Sequence, residues 1–98
     1  MSSVTTRSPR TGRTIVRVQT GIRIELRILK VLKEIAEYRD MTLGDFLEGV
    51  LLHVFEGKAP FQRETLKKIA ELKKVYDLDL DASDSHKLRE GAGGRARR

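Results

Sequence analysis

The spacing of apolar positions changes at residue 25 of the chain. Between residues 14 and 24, apolar and polar side chains alternate, which predicts a β-strand because successive strand side chains point to opposite faces. The face expected to meet the core consists of Val16, Val18, Thr20, Ile22 and Ile24. The opposite face presents Arg17, Gln19, Gly21 and Arg23. One strand leaves its backbone groups without partners, so this segment needs a second strand from elsewhere.

Apolar spacings of three and four residues follow and predict two consecutive amphipathic helices. The first helix ends near residues 38–41 and carries its apolar stripe on Ile28, Val31, Leu32, Ile35 and Ala36. The second is expected to start at Thr42, with Asp45 in a pattern resembling a capping box, and to stop at Gly57. Its broad apolar face consists of Leu43, Phe46, Leu47, Val50, Leu51, Val54 and Phe55.

A third helix is predicted over residues 61–76, with an apolar stripe opposite a row of lysines. The stripe consists of Leu66, Ile69, Leu72 and Tyr76. An acidic connector follows, in which Asp81 or Ser83 is placed to cap a short helical turn. The chain therefore divides into a disordered basic arm (1–13), a strand-helix-helix domain (14–57), a C-terminal helical extension (58–90) and a flexible basic tail (91–98).

The unpaired strand has a physical solution in a homodimer. Two copies of the strand can pair antiparallel, while the helices of both subunits pack beneath the resulting ribbon. A two-stranded ribbon fits the major groove of B-DNA, where its outward side chains can hydrogen-bond to base edges. The fold expected is therefore mainly α, with one short β-strand per chain and an additional C-terminal helix.

With this order of strand, helix, short turn and helix, residues 14–57 resemble the ribbon-helix-helix domain of the Arc and MetJ repressors. The resemblance implies a dimer whose intersubunit antiparallel β-ribbon reads DNA. The three strand residues that enter the groove in this family correspond here to Gln19, Gly21 and Arg23. The start of the family's second helix holds a DNA phosphate through backbone N–H groups, and that position corresponds here to Thr42, Leu43 and Gly44. A helix N-terminus also suits an anion through its free donors and its dipole.

The individual side chains suggest how DNA would be contacted. Arg23 suits a bidentate contact with guanine O6 and N7, and Gln19 suits adenine N6 and N7. Gly21 has no side chain for reading, so it either allows close backbone approach or marks a bulge. Arg17 is expected on phosphate, and Arg13 belongs to an arm that either follows the DNA backbone or is a solvated tail. Glu25 stands where the family often has proline and brings an acid near the predicted DNA face.

The net charge of +6 is concentrated at the two ends of the chain. Residues 1–24 contain five arginines and no acid, and residues 87–98 contain five basic residues and one acid. Residues 25–86 contain ten basic and thirteen acidic residues. Basic ends on a mildly acidic body suggest a polyanion partner, and a pair of solvated tails is the alternative.

Several function classes are disfavoured by the sequence. The chain has no cysteine, which excludes disulfides, thiolate nucleophiles and Cys-type zinc sites. His53 and His86 have no neighbours at metal-ligand spacing, and the acidic stretch of residues 77–84 lacks the glycine and glutamate of a calcium loop. No catalytic constellation is recognisable, so we expect no enzyme, cofactor or metal. The lack of a membrane-spanning run or secretory leader predicts a cytoplasmic location.

The function expected from these features is sequence-specific DNA binding by a homodimer, in a transcriptional regulator such as a repressor. The alternative is a protein-interaction module or antitoxin, in which residues 58–90 bind a partner protein. Affinity for duplex DNA and its dependence on salt separate the two. Phosphate contacts would carry most of the affinity, and base contacts most of the discrimination.

Overall fold

The computed structural model describes residues 13–91 and contains three α-helices in this range. Helix α1 spans Leu26–Tyr38, α2 spans Leu43–Phe55 and α3 spans Arg63–Val75, and a single 3-10 turn follows at Ala82–Asp84. The mainly α fold with a C-terminal helix is thus confirmed. Apart from residues 13 and 91, the predicted basic arm and tail lie outside the described range. None of the helices in residues 13–91 combines the length and apolar character needed to cross a bilayer.

Residues 14–24 form neither a helix nor a strand in the described part of the chain. Within residues 13–91, none of their backbone groups hydrogen-bonds to another backbone group. The side chains predicted to face the core are exposed, with Val16 at 89% and Val18 at 79% of full exposure. The predicted strand is therefore not formed in the single chain, because a strand exists through its ladder to a neighbour and no described segment supplies one.

The N-termini of α1 and α2 are capped by side chains. The Thr42 hydroxyl accepts a hydrogen bond from the Asp45 N–H at 3.1 Å, which confirms the predicted start of α2. The reciprocal capping-box pattern forms instead at the 3-10 turn. There Asp81 accepts from the Ser83 N–H and donates its own N–H to Asp84, each at 2.9 Å. Of the two predicted candidates, Asp81 is therefore the cap.

All three helices end in the same C-terminal motif. The residue after each C-cap has a left-handed backbone, at Asp40 (φ 60°), Gly57 (φ 73°) and Asp77 (φ 56°). The next N–H then reaches back five residues, as from Met41 to the Ala36 carbonyl at 2.8 Å. These bonds satisfy carbonyls that the helix itself leaves free. Gly57 ends α2 as predicted, whereas aspartate holds the same conformation after α1 and α3.

Helix α1 packs against both other helices and supplies most of the core. The buried apolar side chains are Val31, Ile35 and Ala36 of α1, Phe46 of α2 and Leu72 of α3. Phe61, which precedes α3, stacks on Phe46 with ring centroids 5.9 Å apart. The third helix therefore completes the hydrophobic core of its own chain.

The buried face of α3 differs from the prediction by one position. Leu66 is 53% exposed, whereas Thr65 is buried. The buried row of α3 begins at Thr65 and continues at helical spacing through Ile69, Leu72 and Tyr76. This row faces α1. The hydropathy pattern missed Thr65 because it counts a hydroxyl residue as polar. In the structure, Arg39 Nη1 donates to the Thr65 hydroxyl at 3.1 Å, which offsets the cost of burying it.

Helix α2 is apolar around more of its circumference than α1 covers. Phe46 is buried and Val50 packs against the same core, on the side that faces α1. A second set of apolar side chains, called here the α2 apolar surface, is exposed and consists of Leu51, Leu52, Val54 and Phe55. Phe55 is 77% exposed. The broad apolar face predicted for this helix is therefore only partly buried within the chain.

Candidate nucleic-acid interface

The predicted base-reading residues Gln19, Gly21 and Arg23 are all exposed on the irregular segment that precedes α1. Gly21 has open space where a Cβ atom would stand, with no described atom within 4 Å. Its φ angle lies outside the left-handed region, so neither conformation nor packing within the described chain requires glycine here. The bare backbone at this position is therefore accessible to another molecule.

Arg23 is engaged with an acidic residue from the other end of the described chain. Its guanidinium forms an ion pair with Glu90, which lies 67 residues later and follows the 3-10 turn. The two side chains are 78% and 56% exposed, so water and salt screen their attraction. The sequence pattern gave no sign of Glu90 as part of this surface.

Arg17, predicted to meet a DNA phosphate, forms a fork-shaped contact with Glu48 of α2. Its Nε and Nη2 atoms each lie 2.8 Å from a carboxylate oxygen of Glu48. The hydrogen bonds and charge of Glu48 raise the pKa of Arg17, and the bonds from Arg17 lower the pKa of Glu48. The charge of Asp45, also on α2, acts on Arg17 in the same direction. The first half of the segment is thus held beside the N-terminal turns of α2.

The start of α2 presents free backbone donors next to this contact. The N–H groups of Leu43 and Gly44 have no backbone acceptor among residues 13–91, as is normal for the first turn of a helix. Gly44 also has no described atom within 4 Å of where its Cβ would stand. The backbone here can therefore be approached closely by an anion, which the helix dipole also favours. An open cleft of about 470 Å³ adjoins Thr42 and Leu43 and includes Lys33 in its lining.

Glu48 links Arg17 to the start of α2. It lies four residues after Gly44, so the two positions share one side of the helix. By pairing with Glu48, Arg17 lies on the side where the bare backbone of Gly44 is exposed. The structure therefore places Arg17 beside Glu48, one helical turn after Gly44, whereas Arg23 lies beside Glu90. Arg13 is exposed at the edge of the described range, and the preceding arm residues lie outside it.

Glu25, which the sequence placed near the predicted DNA face, is the N-cap of α1. Its carboxylate accepts from the Ile28 N–H at 2.9 Å and from Arg27 Nε at 3.0 Å. Burial by itself raises the pKa of Glu25, but these hydrogen bonds outweigh it and leave the pKa below its ordinary value. The Glu25 carboxylate is therefore hydrogen-bonded to the start of α1 and to Arg27. Sequence reasoning missed this role because glutamate is not among the favoured N-cap residues.

His53 and the acidic stretch of residues 77–84 have local structural partners. His53 Nδ1 lies 2.8 Å from the Gly49 carbonyl, one turn earlier on α2. Asp81 and Asp84 cap the 3-10 turn, and Asp79 pairs with Arg27 at 3.1 Å. Across residues 13–91, no group of three or more histidine or acidic side chains is arranged to hold a metal ion.

Comparison of the chain with protein-family models, with curated proteins and with solved structures finds no match.

Proposed function

We propose that the protein is a homodimeric DNA-binding protein of the ribbon-helix-helix type, acting as a transcriptional regulator. The main support for the proposal is that residues 14–24 are exposed and unpaired within residues 13–91. Their backbone has no hydrogen-bonding partner in the described chain, and their apolar side chains are exposed on the face where alternation predicts a core. A second copy of the same segment, paired antiparallel, satisfies both the backbone groups and the apolar face at once.

The α2 apolar surface supports the same assembly. Its four side chains are each between 47% and 77% exposed, although they lie on a helix whose other side is already packed on α1. Contiguous exposed apolar patches on soluble proteins often mark interaction sites. Because the Arg17–Glu48 contact holds the segment beside α2, one partner subunit can cover both the segment and the helix. The partner we propose is therefore a second copy of this chain.

The outward face of the paired segment is the surface proposed to read DNA. When the apolar positions face the helices, Gln19, Gly21 and Arg23 project from the ribbon, because strand side chains alternate. A ribbon of two strands fits the major groove. In that groove, arginine and glutamine side chains distinguish guanine and adenine through paired hydrogen bonds.

Contacts with the DNA backbone would come from two places. The N–H groups at the start of α2 suit a phosphate, and Gly44 leaves the approach open. Arg17 and Arg13 supply positive charge on the preceding segment, and an arginine fork binds phosphate with the same two-donor geometry that Arg17 uses on Glu48. These contacts would provide affinity without discrimination between sequences.

Two experiments test the proposal in order. Sedimentation equilibrium of the full chain should give a dimer at micromolar concentration, and Val18→Pro should lose both dimer and fold because it removes a ladder donor. A selection of bound duplexes from a random pool should then enrich one sequence. A stably folded wild-type monomer would overturn the ribbon.

Variants of the reading residues test specificity. Arg23→Ala should narrow the difference in affinity between the selected and random duplexes by about 1–3 kcal/mol, and Gln19→Ala should act in the same direction. Neither should change the oligomeric state, because both side chains are exposed. If the wild type enriches no sequence, the protein-interaction alternative takes the place of the regulator. For that alternative, residues 58–90 offer less apolar surface to a partner protein, because the apolar row of α3 is packed against α1.

A further inference from the structure

After α3 the chain folds back toward the start of α1. Residues 77–91, called here the return segment, are held there by Arg27, whose Nη1 donates to the Asp77 carbonyl at 2.7 Å and to Asp79 Oδ1 at 3.1 Å. Leu78 packs against the hydrophobic core. The return segment is therefore fixed at its beginning by both polar and apolar contacts.

The end of the return segment lies beside Arg23, one of the predicted reading residues. Leu88 and Glu90 share an open cavity of about 800 Å³ with residues 22–26, at the junction between the irregular segment and α1. Glu90 forms its ion pair with Arg23 at this place. One of the guanidinium nitrogens of Arg23, Nη2, is thus engaged by a carboxylate from another part of the chain.

We propose that Glu90 is an internal competitor of DNA for Arg23, so that the return segment lowers DNA affinity until this ion pair opens. The inference rests on the proposed function and adds to it a form of regulation. The Nη2 hydrogen that donates to Glu90 is not available to a base edge or a phosphate. A carboxylate held at Arg23 would also lie beside the negative DNA backbone, where like charges repel. The ion pair therefore competes with the two-donor contact that Arg23 is proposed to make on guanine.

The effect of this competition should be modest. Both partners are largely exposed, and exposed ion pairs contribute little. We expect that removing the Glu90 charge tightens DNA binding about two- to fivefold at low salt. The Glu90 carboxylate repels every duplex and also competes with the base contact of Arg23 in the selected one, so the affinity for the selected duplex should rise at least as much as that for random DNA. This separates Glu90→Gln from Arg23→Ala, which narrows the ratio between the affinities for the two duplexes.

The test compares Glu90→Gln with Glu71→Gln in the full-length chain. Both variants remove one negative charge from an exposed glutamate, but Glu71 lies on α3 and its described ion pair is with Lys68. Binding to the selected and random duplexes is measured by fluorescence anisotropy across a salt series. In parallel, the NMR signal of Arg23 Nε–H is recorded without DNA in the wild type and in each variant.

The expected result is tighter binding for Glu90→Gln than for Glu71→Gln, with a difference that fades at high salt. The Arg23 Nε–H signal should shift only in Glu90→Gln. Equal affinities of the two variants would overturn the competition and leave DNA binding intact. If no variant binds duplex DNA, the proposed function fails and the competition fails with it, even where the Arg23 signal reports the ion pair.

Discussion

Arg17 and Glu48 join the N-terminal segment to α2 through two hydrogen bonds of 2.8 Å across 31 residues of sequence. Residues 14–24 make no backbone hydrogen bond to another described backbone group, so in the single chain this side-chain fork joins the segment to α2 without a backbone ladder. An arginine fork recognises phosphate in the same way as carboxylate. Under the proposed function, Arg17 would exchange Glu48 for a DNA phosphate at the start of α2.

This exchange predicts a change in salt dependence. Arg17→Ala should reduce the slope of log affinity against log salt by about one, because one phosphate contact is lost. The matched control is Arg63→Ala at the start of α3, which removes the same charge outside the proposed interface. Affinities for one duplex, measured at several salt concentrations, give both slopes. Equal slopes for the two variants would mean that Arg17 stays on Glu48 when DNA binds.

The cap on α1 predicts a loss of stability. Glu25→Ala should lower the free energy of unfolding by about 0.5–2 kcal/mol, because the Ile28 N–H loses its acceptor at the helix start. Glu25→Gln keeps an acceptor oxygen and should lose less. Denaturant unfolding at one fixed protein concentration measures both, since a dimer's stability depends on concentration. Equal losses in the two variants would argue against the cap and in favour of the Arg27 contact.

The lowered pKa of Glu25 predicts how this contribution depends on pH. Hydrogen bonds to the carboxylate place the pKa in the folded chain below its unfolded value. The stabilisation is therefore complete above the unfolded pKa and is lost as pH falls through the folded one. The difference in unfolding free energy between wild type and Glu25→Gln should be constant near neutral pH and shrink in the acid range. If the difference in unfolding free energy instead grew on acidification, the pKa of Glu25 would be raised, not lowered, in the folded chain.

Local periodicity predicted the three helices and their approximate ends, because the apolar rows around Ile35 and Leu72 repeat at the helix period. Local chemistry also predicted the Thr42 cap and the Gly57 stop. The segment of residues 14–24 is different, because alternation describes which face a strand would bury but not which molecule covers it. Only the wider fold reveals that residues 13–91 provide no partner strand.

The partners of the basic residues were beyond the sequence pattern for a related reason. Glu48 and Glu90 meet Arg17 and Arg23 across 31 and 67 residues, and no spacing rule links positions so far apart. Glu48 lies in the helical pattern of α2 and Glu90 in the C-terminal extension, and neither pattern indicates that these acids pair with an arginine of the N-terminal segment. The sequence therefore predicted a basic reading surface, whereas in the single chain the charges of both arginines are paired.

The left-handed residue after α1 predicts a reversal between two substitutions. At Asp40, whose φ is 60°, glycine should be more stable than alanine by about 1 kcal/mol, because only glycine adopts this conformation without a Cβ clash. At Glu37, an exposed position inside α1, alanine should be more stable than glycine by about 1 kcal/mol. Unfolding of the four variants measures both differences. The same order at both positions would contradict the left-handed end of α1.

Two glycines of α2 give the sharpest test of the proposed phosphate site. Gly44 and Gly49 both have open space at the Cβ position and ordinary helical φ angles. Either glycine replaced by alanine should stabilise the helix by about 0.5–1 kcal/mol. Only Gly44 lies in the first turn, where the backbone N–H groups are free.

We therefore predict that alanine at Gly44 changes stability and DNA affinity in opposite directions, whereas alanine at Gly49 changes stability alone. Gly44→Ala should raise the unfolding free energy but weaken DNA binding, because the new methyl group keeps a phosphate away from the N–H donors. Gly49→Ala should raise the unfolding free energy and leave affinity unchanged, which controls for the effect of helix stability on binding. Denaturant unfolding and anisotropy on the same samples provide the two readouts. Unchanged affinity in Gly44→Ala would remove the start of α2 from the DNA interface, and contacts with phosphate would then rest on the arginines alone.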